Sequence, residues 1–464
     1  MIRHLLCVAA FSLPLAAAAQ DLSPAETQAI DAAVARSLAA TETTSASIAV
    51  VRGGRVVLAK AYGKASETIP QSRPDLPYQI ASVSKQFTAA AMLLLQRDGK
   101  LRLDDTVAKY VSGITGGDKI TLRQLLSHTA GLQDYWPQDY SFAAMEKPTT
   151  PQGIVDRWAK KPLDFPPGTQ WQYSNTGYVV AGLVIEKVAG EPLLAFLQRR
   201  IFAPLRMTAM DQDLAIGSRY PQGYHRYALG PVRVERPAAR GWLYAAGELA
   251  MSPTDLAKWD IARLERRLLT PAEWAEQETM VKLADGKDSG YGLGVSLGEQ
   301  DGRRIVEHNG EAVGFLSENI VFPDDKAAVV VLTNVDFGNA FTTIARDVAR
   351  IVLPPKPSAT GEADRTAQAR RLFDQLRTGT LDRTQLTADA AYYFTPEATA
   401  DYRTSLSALG EPMAFEARGA PRLRGGFVNR NYRVTYPGRT LNIITYAEPG
   451  EGGRYEQFLV QPAL

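Results

Sequence analysis

Apolar and polar positions alternate along residues 47–62, on either side of Arg52-Gly53-Gly54. Period 2 sends successive side chains to opposite faces of a strand, and glycines between two such runs mark a turn, so this stretch predicts a β-hairpin. From Ser82 to about Ile201 the pattern changes to helices and loops. "TLRQLLSHTAGL" opens with Thr121 and carries Gln124 three residues on, a capping box. "SNTGYVVAGLVIEKVAG" has helical periodicity and ends at Gly190. "MSPTDLAKWDIARL" offers Ser252 as cap, Pro253 at the first helical position and Asp255 in the first turn. Strand patterns return over 291–297, around 304–307, and over 315–322 and 328–332. Strands come from both ends and helices from the middle. That order predicts an α/β arrangement: one antiparallel sheet flanked by helices, with a helical region inserted.

Near Leu353 the composition shifts. "LPPKPSATGEADR" reads as a linker over 354–365. A helix around Ala367–Leu376 follows. "FVNRNYRVTYPGRTLNIITYAEPGEGGRYEQFLVQ" then reads as a meander, with turns at Pro437-Gly438 and Glu451-Gly452-Gly453. We therefore expect a large domain over 20–353 and a small α+β domain over 366–464, whose pattern is similar to ketosteroid-isomerase-like cones.

With 464 residues, 45% hydrophobic and 22% charged, the composition is that of an ordinary globular protein. A net charge of +2 without a long basic run gives no nucleic-acid footprint. The start, "MIRHLLCVAAFSLPLAAAAQ", has Arg3, an apolar core and an alanine run, which predicts a signal peptide over 1–19 and a periplasmic or secreted protein. A short buried helix is the competing reading. Cys7 lies inside this segment and is the only cysteine, so disulfides, thiolate catalysis and cysteine metal sites are not expected in the mature chain. No other stretch approaches the length of a membrane span.

Candidate chemistry begins with "QIASVSKQFTAAAMLLL". Ser82 could cap a helix and Lys85 be a solvated charge on its first turn. Alternatively the lysine activates the serine: positions i and i+3 are neighbours on a helix, and a helix start favours negative charge. An ordinary lysine titrates near 10.4, so a direct base there must be desolvated or set beside other positive charge. Alone the string is weak, since Ser-x-x-Lys arises by chance about once in such a chain. Tyr173-Ser174-Asn175 follows a Pro-Pro-Gly loop. A tyrosine near a lysine can relay a proton, with its pKa lowered by that charge, and an asparagine can orient a substrate amide. By the plainer reading Tyr173 packs and Asn175 caps. His308-Asn309-Gly310 follows a predicted strand. A histidine there could donate to a substrate oxygen, or the string could be a turn with an exposed histidine.

Taken in order, "SVSK", "YSN" and "HNG" resemble the serine β-lactamase and penicillin-binding superfamily. The match is closer to its class C β-lactamase, D-alanyl-D-alanine carboxypeptidase and D-aminopeptidase branch. "GKLRLDDTVAKYV", "LRQLLSHTAGL", "FAPLRM" and "GELAMSPTDLAKW" support it, over roughly residues 30–350. The resemblance implies Ser82 as acylated nucleophile, with Lys85 and Tyr173 sharing its proton. Asn175 and His308 would bind substrate, Gly310 would let the strand come close, and the amides of Ser82 and Glu311 would form the oxyanion hole. Histidine where many relatives carry lysine puts a permanent carboxylate anchor, and so efficient β-lactamase activity, in doubt. Arg206 stands where the family usually has glycine.

Other strings are weaker. "GVSLG" (294–298) matches G-x-S-x-G, but it reads as the end of a strand before a hairpin turn, and a nucleophile elbow needs strand, turn and helix. Ser317-Glu318-Asn319 lies in a strand pattern after the third motif. His128 reads as framework, His225 has no evident partner, and the histidines lack metal-ligand spacing. The sequence thus points to an exported serine hydrolase needing no cofactor. Its expected partner is a D-amino-acid peptide or β-lactam-like substrate. The alternatives are a small-ester hydrolase on the same machinery and a non-catalytic binder of cell-wall fragments or of a protein.

Overall fold

The hairpin forms as β1, Ser45–Arg52, and β2, Arg55–Gly63. It joins four strands from much later in the chain: β3, Ser296–Gln300; β4, Arg303–Ala312; β5, Phe315–Phe322; and β6, Ala327–Thr333. The computed structural model describes residues 21–136, 142–353, 362–450 and 452–463. The expected signal peptide with Cys7, most of the linker and Glu451 of the expected turn lie outside the described residues. The sheet order is β2-β1-β6-β5-β4-β3, with every pairing antiparallel. The chain's two ends meet where β1 pairs β6, Val50 opposite Val329.

Strands β1, β5 and β6 are buried almost throughout, because both sheet faces are covered. Alternation along β1 divides the two cores. Ala46, Ile48 and Val50 pack with α1, Pro24–Thr41, and α6, Ala340–Val352, through Ile30, Val34, Ile344 and Val348. Ala49 and Val51 turn toward the helical region that holds α2, Lys85–Arg97; α3, Leu122–Leu126; α4, Asn175–Ala189; and α5, Pro253–Leu264. Each fully buried Ile, Val or Phe contributes about 1.5–3 kcal/mol.

The local signals act where expected. Thr121 and Gln124 close their capping box, and Ser252 accepts from the Asp255 amide with Pro253 following. Gly190 ends α4 in the left-handed conformation. Four expectations are corrected. The motif His308-Asn309-Gly310 does not follow a strand but lies inside β4, which runs on to Ala312. The strand expected over 291–297 begins only at Ser296, so "GVSLG" enters a strand rather than ending one. Helices α1 and α6, which cover the outer sheet face, were not anticipated. The fourth concerns the C-terminal unit.

That unit begins at Pro355 and is compact in itself. Its described residues form three α-helices where one was expected: α7, Glu362–Thr378; α8, Ala388–Tyr393; and α9, Pro396–Ser407. A four-stranded antiparallel meander follows: β7, Ala414–Arg424; β8, Phe427–Tyr436; β9, Arg439–Ala447; and β10, Tyr455–Pro462. Leu372, Phe373 and Leu376 of α7 share a core with Val434, Ile443 and Phe458 of the sheet.

Candidate active site

Ser82 sits in a 3-10 turn, Ala81–Ser84, that runs directly into α2. It caps nothing. The residue before α2 is Ser84, which makes no side-chain cap, and its Oγ accepts from the Leu249 amide at 3.3 Å. Nor is Lys85 a solvated charge, since it is 0% exposed. The structure thus removes the plainer reading of this pair. Ser82 keeps partial exposure, as a group that must meet a ligand requires.

Lys85 Nζ donates to Ser82 Oγ at 2.9 Å, to Asn175 Oδ1 at 2.8 Å and to the Ala246 carbonyl at 2.7 Å. Two of these acceptors are neutral amide oxygens and the third is the serine hydroxyl. Burial without a directly bonded carboxylate lowers the lysine pKa to about 7, with Asp134 pulling it back up only from beyond Asn175. In its neutral form the amine can keep both amide acceptors and aim its lone pair at Ser82.

Tyr173 comes from the distant loop. Its phenol is within hydrogen-bonding reach of Ser82, and its ring lies 4.9 Å from Lys85 Nζ. The expectation of a lowered tyrosine pKa is corrected. Burial raises it, Asp134 and Glu311 add to the rise, and the Ser82 contact only partly offsets them. Tyr173 therefore keeps its phenolic proton. Asn175 is not the cap of α4: Ser174 is, accepting from the Gly177 amide at 3.2 Å. The Asn175 amide is held between Lys85 and Asp134, its backbone N–H donating to Asp134 Oδ1 at 3.0 Å and its Nδ2 to Oδ2 at 3.2 Å. Nδ2 has a second hydrogen for a substrate acceptor.

His308 is buried on β4 and neutral. Its Nδ1 lies 2.6 Å from the Asn309 carbonyl, which can only accept, so Nδ1 carries the proton. Nε2 then accepts from the Tyr291 hydroxyl at 2.7 Å. Burial pushes its pKa down to about 3, with the Lys85 charge adding to the shift. Both ring nitrogens are engaged, so the histidine is no cationic anchor. Gly310 is opposite Ser317 in the ladder. A Cβ there would stand 2.2 Å from the Ile80 carbonyl and 2.3 Å from Ser317 Oγ, so only glycine lets β4 lie against the turn that carries Ser82. Ser317 Oγ donates to that same Ile80 carbonyl at 2.9 Å. Ala81, just before the nucleophile, has φ of +48°, and its backbone is only 3.2 Å from where a Cβ on Gly247 would be. Glu311, next along β4, is exposed, and partial burial of its carboxyl raises the pKa.

Several participants carried no sequence signal. The Ala246 carbonyl reaches Lys85 from a remote segment, and Asp134, from another, acts on it through Asn175. His128, read as framework, is buried with φ of +61°. Its Nδ1 accepts from the Ser174 amide at 3.1 Å, and its ring stacks on Tyr173 with centroids 4.1 Å apart. It positions the tyrosine loop. The other strings pack around the site and offer it no reactive group: Gly294 of "GVSLG" lies against the Lys85 carbonyl. Asn319 donates to Asp260 Oδ2 and accepts from Gln86 within the core. His225, for which no partner was evident, has Nδ1 2.8 Å from Glu235. Among the described residues no cluster of histidine, cysteine or acidic side chains could hold a metal ion.

This geometry agrees with what known proteins resemble the chain. The family described as Beta-lactamase matches residues 30–353. Penicillin-binding protein 4* of Bacillus subtilis is 28% identical over 309 residues, covering 62% of this chain and 67% of that protein. A D-aminopeptidase of Brucella canis is 29% identical over 336 residues, 68% of this chain; the match spans 61% of the aminopeptidase, under two thirds of its length. Among solved structures, a D-stereospecific amidohydrolase from Streptomyces sp. is 30% identical at a TM-score of 0.59, covering 69% of this chain and 96% of that one. The octameric penicillin-binding protein homologue from Pyrococcus abyssi, 21% identical, shares the fold at a TM-score of 0.63 over 94% of this chain and 95% of its own. The chain belongs to the Beta-lactamase family, within the serine β-lactamase and penicillin-binding superfamily of hydrolases.

Proposed function

We propose that the protein is an exported serine hydrolase that opens amides of D-amino acids through an acyl-enzyme on Ser82. The observation that carries this reading is the buried Lys85 amine, 2.9 Å from Ser82 Oγ and otherwise bonded to neutral oxygens. Ser82 Oγ attacks the carbonyl as its proton passes to Lys85 Nζ. The oxyanion meets the amides of Ser82 and Glu311; removing one such donor typically costs 10²–10³ in rate. The C–N bond breaks and the leaving amine takes a proton from Tyr173, which Lys85 replaces. Water then repeats the sequence in reverse and frees the acid.

Neutral His308 and the Glu311 carboxyl beside the site disfavour a substrate with a free carboxylate. That favours D-aminoacyl amides and peptides over carboxypeptidase substrates, in keeping with relatives named D-aminopeptidase and D-stereospecific amidohydrolase. The same neutrality admits small esters as a second reading. Export rests on the N-terminal pattern; among the described residues no helix is long and apolar enough to cross a membrane.

The test is a panel of D-alanyl amides, a D-alanyl-D-alanine peptide and a chromogenic ester, with mass spectrometry after a fluorophosphonate or penicillin. Amide turnover with a Ser82 adduct, both lost in Ser82→Ala, is the expected result. Ester turnover alone supports the second reading, and no adduct with any probe leaves a binder.

A further inference from the structure

A cavity of about 390 Å³ lies beside the nucleophile turn and takes no part in the chemistry above. Three segments that build the site also wall it. Gln79 precedes the turn, Leu243 precedes Ala246, and Ala312 continues β4 beyond Gly310. A group on a substrate bound at Ser82 therefore has a short path into it.

Its chemistry is of two kinds. Trp136, Ile216, Leu243 and Phe315 give apolar wall, while every charged residue lining it is acidic: Glu67, Asp213 and Glu235. Glu67 is paired with Lys64 at 2.8 Å, and Glu235 has His225 Nδ1 at 2.8 Å, a partner that carries charge only when protonated. Asp213 makes no ion pair with a described residue. Its Oδ2 accepts from the Gly241 amide at 2.8 Å and its Oδ1 from Gln212 Nε2 at 3.4 Å, while the Arg240 charge favours its ionised form. Burial and the neighbouring Asp211 raise its pKa, and its own charge raises that of Glu248. Beside it Gln212 is only 5% exposed, yet its Oε1, which can only accept, has no hydrogen-bond partner among the described residues. A buried acceptor left unmatched is costly, so a donor supplied by a ligand is favoured there. One unmatched acceptor, a carboxylate without an ion pair among the described residues and an apolar wall together describe a receptor for an alkyl stem that ends in a cation.

We propose that this cavity receives a substrate side chain made of an aliphatic stem and a terminal ammonium, held by Asp213 and Gln212. The inference rests on the reading of Ser82 as the site for D-residue amides, which sets the choice of probe. The experiment is calorimetric titration of the Ser82→Ala protein, which cannot turn over, with Nα-acetyl-D-lysinamide and with Nα-acetyl-D-norleucinamide, its analogue without the amine.

The lysine compound is expected to bind at least tenfold more tightly. In the added background of Asp213→Asn, and separately of Ile216→Lys, the preference is expected to fall toward unity. Ile216 is 41% exposed, so a lysine is tolerated there even if position 213 is needed for folding. Equal affinities, a preference that survives both changes, or no binding of either compound would overturn the proposal. Hydrolysis by the unmodified protein is measured apart. Ammonium-selective binding without turnover keeps the cavity assignment and sinks the hydrolase reading, and turnover without selectivity does the reverse.

Discussion

In the proposed reaction Lys85 acts as a base while buried, and its environment fixes when it can do so. The free side chain holds its proton to about 10.4, whereas in the fold it is released near 7. Between those values the unfolded chain binds more protons, so stability rises with pH there; below 7 both states are charged and the burial penalty is complete. Two outcomes follow. The kcat/KM profile is expected to fall on its acid side with an apparent pKa near 7, a limb that persists in His308→Gln because His308 is already neutral. Thermal denaturation of Lys85→Met is expected to show none of the wild type's gain in stability on going from pH about 7 to about 10, a gain on the order of a few kcal/mol. Tyr173 is expected to matter by leaving group. As a proton donor it serves an amine, so Tyr173→Phe should lower amide turnover by about 10²–10⁴. A p-nitrophenyl ester, whose leaving group needs no proton, should be far less affected; equal losses on both would refute the assignment.

At the scale of elements, the site is one turn clamped between two backbones. Gly247 and Gly310 bring their chains against Ile80 and Ala81, and Ser317 ties the Ile80 carbonyl to β5. Gly310→Ala forces a carbon to within 2.2 Å of that carbonyl. It is expected to cost about 1–3 kcal/mol by denaturant titration and most of the Ser82 labelling rate, since β4 must move. Residue type and spacing made part of this legible. Capping boxes, the Gly190 stop and the Ser-x-x-Lys pair are local codes, each written within a few neighbouring residues. Asp134, the Ala246 carbonyl and the His128 stack were illegible because their partners lie in other segments and no period links them. The position of the third motif was misread for another reason: its polar residues interrupt the alternation, yet the ladder continues through them because Gly310 is paired with Ser317.

For the whole molecule, the order strand, helix, strand was enough to foresee a sheet made from both ends. Of the helices on its outer face, α1 escaped because it carries alanines and polar residues with only a thin apolar stripe, whereas α6 does present a wide one through Phe341, Ile344, Val348 and Val352. The C-terminal unit has a core of its own, with Phe373, Tyr432 and Phe458 inside it. A chain ending at residue 353 is accordingly expected to fold and to label Ser82 with a fluorophosphonate; loss of labelling would assign the second unit a part in the chemistry.

The union of β1 with β6 also governs when the protein can fold at all. As the chain leaves the ribosome, the first hairpin has no neighbour to complete it until residues 327–333 have been made. Contacts so far apart close late, and the loop between them has to be gathered first. The nascent polypeptide thus stays unfinished for most of its synthesis. Maturation of the nucleophile would then wait until the last central strand arrives.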